Sequence, residues 1–333
     1  MPTNIGDPLI LTASASLVPG AEVSPNLASL SNQYGLPMEL LEVRFSVVAS
    51  STNASSFRAI TGLGIGVKAD LGKIGVIDSD VPISCFGNYR DSSDPVVQSL
   101  LEIASSGVIN GVNTYTWRLK YPLYIPGGTT MNLSFHHLSQ EPVNAQIWVT
   151  YHCRVRSKSY KPAKLMVPWV CSYNSKPFNV VSGEPADSDV SSELDLVNPF
   201  GVPLEVTRFV GGYTGLVLGS GSTINTASEV ANPPQPRQFT YVTMRTSQGD
   251  DVVFTPTYFE ALWPTAWRAW DLPDGTLFDP NEWIKVTLTR PAIDYDPSTL
   301  NNQGVALFAV SMVGYREVGG SEFAVGAFGR GGA

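Results

Sequence analysis

The chain is poor in the residues that most often carry chemistry. Its 333 residues include three cysteines and three histidines, and only 15% are charged. Cys85, Cys153 and Cys171 form an odd set without C-x-x-C spacing, which makes neither a disulfide framework nor a zinc site. A reducing compartment is the simplest setting for them. His136 and His137 are adjacent, so on a strand they point to opposite faces; His152 could pair with one of them across a hairpin. So few histidines leave little for a metal centre, a Ser-His-Asp set or a Cys-His set. "GSGST" (219–223) does not fit the G-x-S-x-G elbow, and "TGLGIGVKADLGKIG" holds neither G-x-G-x-x-G nor a P-loop. No enzyme is expected.

Positive charge is also short. Lys and Arg number 21 against 29 Asp and Glu, a net charge of −8. Nucleic-acid binding needs clustered cations, so direct sequence-specific binding is not expected. The nearest cluster is Arg154, Arg156, Lys158, Lys161 and Lys164, where the chain halves meet. It reads as a solvated linker, with contact to an acidic partner or nucleic acid as the alternative. No apolar run approaches ~18 residues, so no membrane-spanning helix is expected. No basic amphipathic helix offers itself to a membrane surface. The N-terminus lacks a basic segment followed by an apolar core, so a signal peptide is not expected. The N-x-S sequons at Asn53 and Asn132 then read as chance matches.

What the chain does have is apolar residues, at 43%, together with 30 glycines and 25 prolines. That mixture predicts short strands and many turns. Alternating or buried stretches occur at 40–50, 57–70, 115–125, 129–138 and 144–156. They recur at 165–173, 238–247 and 250–259, then in "EWIKVTLTRPAI" and "GVALFAVSMVGYREV". Gly62, Gly64 and Gly66 fall on one strand face, where another backbone could come close. One helix is expected over 91–107, with Asp94 as N-cap, Pro95 in the first turn, Leu100, Leu101 and Ile103 on its apolar face and Gly107 as its stop.

Two loops gather carboxylates: Glu184, Asp187, Asp189, Glu193 and Asp195 in one, Asp271, Asp274, Asp279 and Glu282 in the other. Asp187, Asp189, Glu193, Asp271 and Asp274 are the candidates for a structural Ca²⁺, with solvated loops as the plainer reading. No other cofactor is expected. "LWPTAWRAW" spaces Trp263, Trp267 and Trp270 as one helical face. They are candidates for a subunit interface, where Trp is enriched, for packing on their own domain, or for a sugar-stacking platform.

The strongest signal is a repeat. "NQYGLPMELLEVRF" (32–45) returns as "NPFGVPLEVTRF" (198–209). The offset is 166 residues from Asn32 to Glu39, and two fewer at Arg44→Arg208, as if the first copy carried two extra residues. Trp117 lies 166 residues before Trp283, and each opens an alternating run. "AQIWVTY" (145–151) resembles "ALFAVSM" (306–312). Duplication predicts two all-β, eight-stranded jelly rolls in tandem with short helical insertions in their loops. They span 1–157 and 165–318, with a linker at 158–164 and a flexible Gly-rich tail at 319–333.

On these residues the chain resembles the double jelly-roll major capsid proteins of icosahedral viruses and bacteriophages. The resemblance implies a structural protein that forms homotrimers of pseudo-sixfold outline and then a capsid lattice. It implies a virion location after synthesis in the host cytoplasm, with minor capsid or penton proteins as further partners. Whether an internal membrane lies beneath the shell is left open. A spike or minor capsid protein, or a tandem carbohydrate-binding or carbohydrate-active sandwich, are the alternatives.

Overall fold

Period-two burial gives a strand one core face and one outer face. Residues Thr130–His137 and Ala145–Val155 show it without interruption. The computed structural model describes residues 6, 8–18, 22–23, 28–51, 65–86, 102–103, 109–137, 144–174, 178–180, 190–218, 224–225, 241–249, 251–263, 268–290 and 304–328.

In the first half the strands are β1 (Pro8–Leu17), β2 (Glu22–Val23), β3 (Leu30–Ser31), β4 (Met38–Ser51), β5 (Ile65–Leu71) and β6 (Ile74–Pro82). After a 3-10 turn at Ile83–Phe86 come β7 (Glu102–Ile103), β8 (Ile109–Ile125), β9 (Thr130–His137) and β10 (Ala145–Val155). One sheet runs β1-β10-β4-β8, with β7 beside β8; the other runs β6-β5-β9, with β2 and β3 beside β9. Their inner faces share one core, in which Phe45 of β4 lies 6.2 Å from Phe135 of β9, ring centre to ring centre.

In the second half the strands are β11 (Met166–Asn174), β12 (Phe178–Val180), β13 (Val190–Val197), β14 (Leu204–Leu218), β15 (Ile224–Asn225), β16 (Tyr241–Thr246) and β17 (Asp251–Tyr258). Helix α1 (Phe259–Leu262) follows, then β18 (Arg268–Asp271), β19 (Leu277–Phe278), β20 (Trp283–Arg290), β21 (Gly304–Glu317) and helix α2 (Gly320–Phe328). One sheet runs β11-β21-β14, with β18 and β19 beside β14; the other runs β13-β20-β16-β17. Each half has the same eight strand positions in the same chain order. The molecule is a double jelly roll.

The register shows how the halves correspond. In both, the strand after the repeated turn bulges at one residue. Cys153 faces Leu40 and His152 faces Glu42, so Leu41 is skipped; Gly314 faces Val206 and Val313 faces Arg208, so Thr207 is skipped. The bulges coincide at the original offset. The two-residue insertion inferred from the sequence is therefore absent: Glu42, not Arg44, corresponds to Arg208, and the shared Arg-Phe is a coincidence. The match of 145–151 with 306–312 is in register. The match of Trp117 with Trp283 is not. Trp117 faces Val43 and Trp270 faces Phe209, so Trp270 is the counterpart of Trp117. Trp283 opens β20, the counterpart of β9.

Three further expectations change. Glu102 and Ile103 pair with Asn110 and Ile109 as a strand, which breaks the expected helix over 91–107; 91–101 and 104–107 lie outside the described residues. The tail expected to be flexible forms α2 over Gly320–Phe328, with Phe323 buried. β10 ends at Val155 and β11 begins at Met166, and the packing does not divide between them. Val167, Val170, Val313, Tyr315, Val318 and Phe323 of the second half join the first half's core.

Candidate functional site

The repeated motif builds the same lock twice. Asn32 is buried, and its side-chain amide donates to the carbonyls of Leu36, Ile125 and Pro126 at 2.9, 3.1 and 3.0 Å. Asn198 is buried and donates to Val202, Phe278 and Asp279 at 3.0, 3.1 and 3.0 Å. Each carboxamide oxygen accepts the backbone N–H two residues on, from Tyr34 and from Phe200, which is an Asx turn. Each lock closes on a turn whose tip takes the left-handed conformation, at Gly128 (φ 79°) and Asn281 (φ 61°). Glycine and asparagine adopt that region at the least cost. The motif therefore pins the strand entering the bulge to the turn before β9 or β20. Its role is architectural.

The halves meet through both sheets. Edge strand β6 lies parallel to β11, with Ile77 opposite Val170, so the first half's second sheet continues into the second half's first. Gly75 permits the approach, since a Cβ there would come within 2.9 Å of the Trp169 ring. The 3-10 turn after β6 sits on β21: Cys85 Sγ lies 2.7 Å from Ser311 Oγ, which reaches Ser172 Oγ at 2.9 Å. Burial pushes the Cys85 thiol up to about 12, against the lowering effect of the two serines. From β8, the Lys120 backbone N–H donates to the Tyr315 hydroxyl at 2.7 Å, and the Tyr121 and Tyr315 rings meet edge to face at 5.2 Å. Lys120 Nζ reaches Glu205 at 2.9 Å and Asp274 at 2.5 Å; the hydrogen bonds to Asp274 and Glu205 hold its ammonium well above the usual range. Tyr121 donates to Glu205 at 3.0 Å.

The expected site residues fall in different places. Trp263 is buried beneath α1, 4.7 Å from Phe259, in space left by Gly211, where any Cβ would strike its ring. It serves its own core and is not an exposed interface anchor. Trp270 lies on β18 and packs 5.9 Å from Phe209, so the expected single helical face of Trp263, Trp267 and Trp270 does not form. Trp267 lies outside the described residues. Asp271 pairs with Arg208 at 3.3 Å, and Asp274 with Lys120. Asp187 and Asp189 lie outside the described residues, as does the side chain of Glu193. Among the described residues no three His, Cys, Asp or Glu side chains gather to hold a metal.

His136 and His137 point to opposite faces, His136 meeting Asp80 at 3.1 Å and His137 buried. β9 and β10 lie in different sheets, so His152 pairs with neither across a hairpin; it lies 3.9 Å from Glu42. The basic stretch is partly neutralised, with Arg156 on Glu39 at 2.5 Å and Lys164 on Glu317 at 3.1 Å. No helix of the described residues is long and apolar enough to cross a membrane. Residues 219–223 and Gly62 and Gly64 lie outside the described residues.

One surface escaped the sequence reading. On the outer face of β1 and β10, Ile10 is 59% exposed and Trp148 is 42% exposed. Trp148 stands opposite Ser14, and Ile10 opposite His152. The corresponding face of the second half is covered, as the junction shows.

No protein-family model matches the chain, and no curated protein matches it. Among solved structures, it is similar to the VP54 protein of PBCV-1, fitted into a reconstruction of the virophage Sputnik, with a TM-score of 0.48 and 10% identity, over 96% of this chain and 98% of that one. It is similar to the major capsid protein P2 of bacteriophage PM2, with a TM-score of 0.35 and 10% identity, over 93% and 98% of the two chains. It is also similar to the Faustovirus major capsid protein, with a TM-score of 0.37 and 6% identity, over 95% and 92%. The chain's double jelly roll is read from its own strand pairings.

Proposed function

We propose that the chain is the major capsid protein of an icosahedral virion, a structural subunit that assembles as trimers of pseudo-sixfold outline. The observation that carries this reading is the duplication itself. Two jelly rolls with one strand order, one bulge position and one Asn lock stand side by side, fused through a shared sheet. A subunit built of two equivalent units presents the same contacts at twice as many positions around a closed ring, which suits packing against copies of itself. A neutral-polar outer surface with a net charge of −8 is in keeping with a shell that leaves the genome to other components.

The test is the mass of the purified chain by light scattering on a sizing column, followed by electron microscopy. The expected result is a species near three times 35.8 kDa, or shell-like particles, with a six-lobed outline. A monomer at every concentration overturns the reading.

A further inference from the structure

The junction inside the chain has a counterpart outside it. Strand pairing sets the correspondence. Pro8 faces Arg154 as Pro168 faces Tyr315, so β1 matches β11 and Ile10 matches Val170. Ala69 faces Ile77 as Met244 faces Val253, so β6 matches β17. The 3-10 turn Ile83–Phe86 follows β6 directly, as α1 (Phe259–Leu262) follows β17. Cys85 and Ala261 are then equivalent, as are Ser311 and Thr150, and Ala309 and Trp148.

Within the chain, the β6 edge and its following turn cover the β11 edge and the outer face of β21. Val170 and Ser311 are fully buried there. The equivalent pieces of the other halves are both vacant. β1 and β17 end their sheets, each with one unpaired edge among the described residues. Ile10 and Trp148, the equivalents of buried Val170 and Ala309, are exposed. Unpaired edges beside exposed apolar side chains are surfaces that proteins rarely leave open.

We infer that the outer face of β1 and β10 is the seat for a second copy of this chain, which enters with its β17 edge and α1, so that β17 runs parallel to β1 with Val253 beside Ile10. This rests on the capsid reading and names the surfaces it uses. The contact is head to tail, the copy's second half on this copy's first. Repeated, it closes a ring or runs on as a filament. Cys85 reaches Ser311 at 2.7 Å in the internal junction. Ala261 and Thr150, both at accessible positions in the single chain, take those places between copies.

The experiment uses the full chain. Ile10→Asp is measured by light scattering beside the unaltered protein, with the melting temperature as the folding control. Separately, a Thr150→Cys/Ala261→Cys variant is oxidised and run on a non-reducing gel beside each single variant. The three native cysteines are buried and free, so they give little background. The expected results are loss of the oligomer in Ile10→Asp with an unchanged melting temperature, and covalent multimers in the double-cysteine variant only. An oligomer that survives Ile10→Asp and gives no specific cross-link overturns this surface while leaving the capsid reading intact. An unaltered chain that stays monomeric overturns both. Should Ile10→Asp fail to fold, the cross-link decides alone.

Discussion

Strands β10 and β21 hold the same position in the two jelly rolls, and they live in different surroundings. In β10 burial alternates: Ile147, Val149, Tyr151 and Cys153 turn inward, while Trp148, Thr150 and His152 turn outward. In β21 every residue from Phe308 to Arg316 is buried. Phe308, Val310 and Met312 face the second half's own core, and Val313 and Tyr315 on the other face join the first half's core. A strand with one wet face reads as alternating, and a strand covered on both faces reads as a continuous apolar run. The difference between "AQIWVTYHCRV" and "VALFAVSMVGY" is therefore a record of which outer face is already occupied within one chain. The duplicated unit is the same; only its neighbours differ.

The sharpest way to break this comparison is to place one charge at equivalent outer positions. Ser311→Lys buries an ammonium beside Cys85 with no carboxylate in the described contacts. It should destabilise the protein by about 3–5 kcal/mol. Thr150→Lys should shift the stability of the isolated subunit by about 0.5 kcal/mol or less, because that face is open. Thermal melts of the two variants check this, and equal losses would show the two faces to be alike.

The two asparagine locks test the opposite expectation, that some parts of the repeat are energetically equal. Asn32→Ala and Asn198→Ala each remove three bonds to backbone carbonyls at a buried site. Each should cost about 1–3 kcal/mol, since the abandoned carbonyls stay buried. Denaturant midpoints that differ widely between the two would show that one lock is only decorative.

Thiol chemistry gives a gentler probe of the covered face. Burial pushes Cys85, Cys153 and Cys171 up to about 12, so all three are protonated thiols at neutral pH. A thiol reagent at pH 8 should react slowly with the native chain and fast after denaturation. Cys85 and Cys171 flank the junction and Cys153 the first core. Gly75→Val, which forces β6 away from Trp169, should speed labelling of Cys85 before that of Cys153. Equal acceleration of both would mean that the halves do not open separately.

Much of this was legible in the sequence, and the misses have physical causes. The jelly-roll strands and the duplication follow from alternation and from the repeat. The exposed Trp148 was hidden because the alternation that marks a strand does not tell which face will be covered. The two tryptophan errors have separate causes. Trp263, Trp267 and Trp270 fit a helical spacing, but α1 ends at Leu262 and Arg268–Asp271 pair with β14 as a strand. Trp117 and Trp283 share an offset by chance, because β8 runs unbroken for 17 residues while its counterpart is divided into β18 and β19. The Gly-rich tail was misread because Gly suggests freedom, yet Phe323 finds a place 6.0 Å from Tyr124 in the first half and draws α2 with it. The junction itself is built from residues far apart in the chain, and its one local trace is the continuous apolar run of β21.

The smallest effect belongs to the polar part of the junction. The hydrogen bond from Lys120 holds the Asp274 carboxyl below the usual carboxylate range. A carboxyl whose pKa is lowered on folding contributes stability above its unfolded value, and that contribution disappears as the pH falls through the lowered folded value. Asp274 is exposed and solvent screens the pair, so its share is slight. On lowering the pH from 6 to 3, the unaltered chain should lose marginally more of its melting temperature than Asp274→Asn, whose amide cannot titrate. Lys120→Met, which keeps the stem packed on the junction but removes the charge, should flatten the same acid limb. A large loss at neutral pH in either variant would mean that the charges, and not the cover over β21, hold the two jelly rolls together, and the contrast between β10 and β21 would lose its cause.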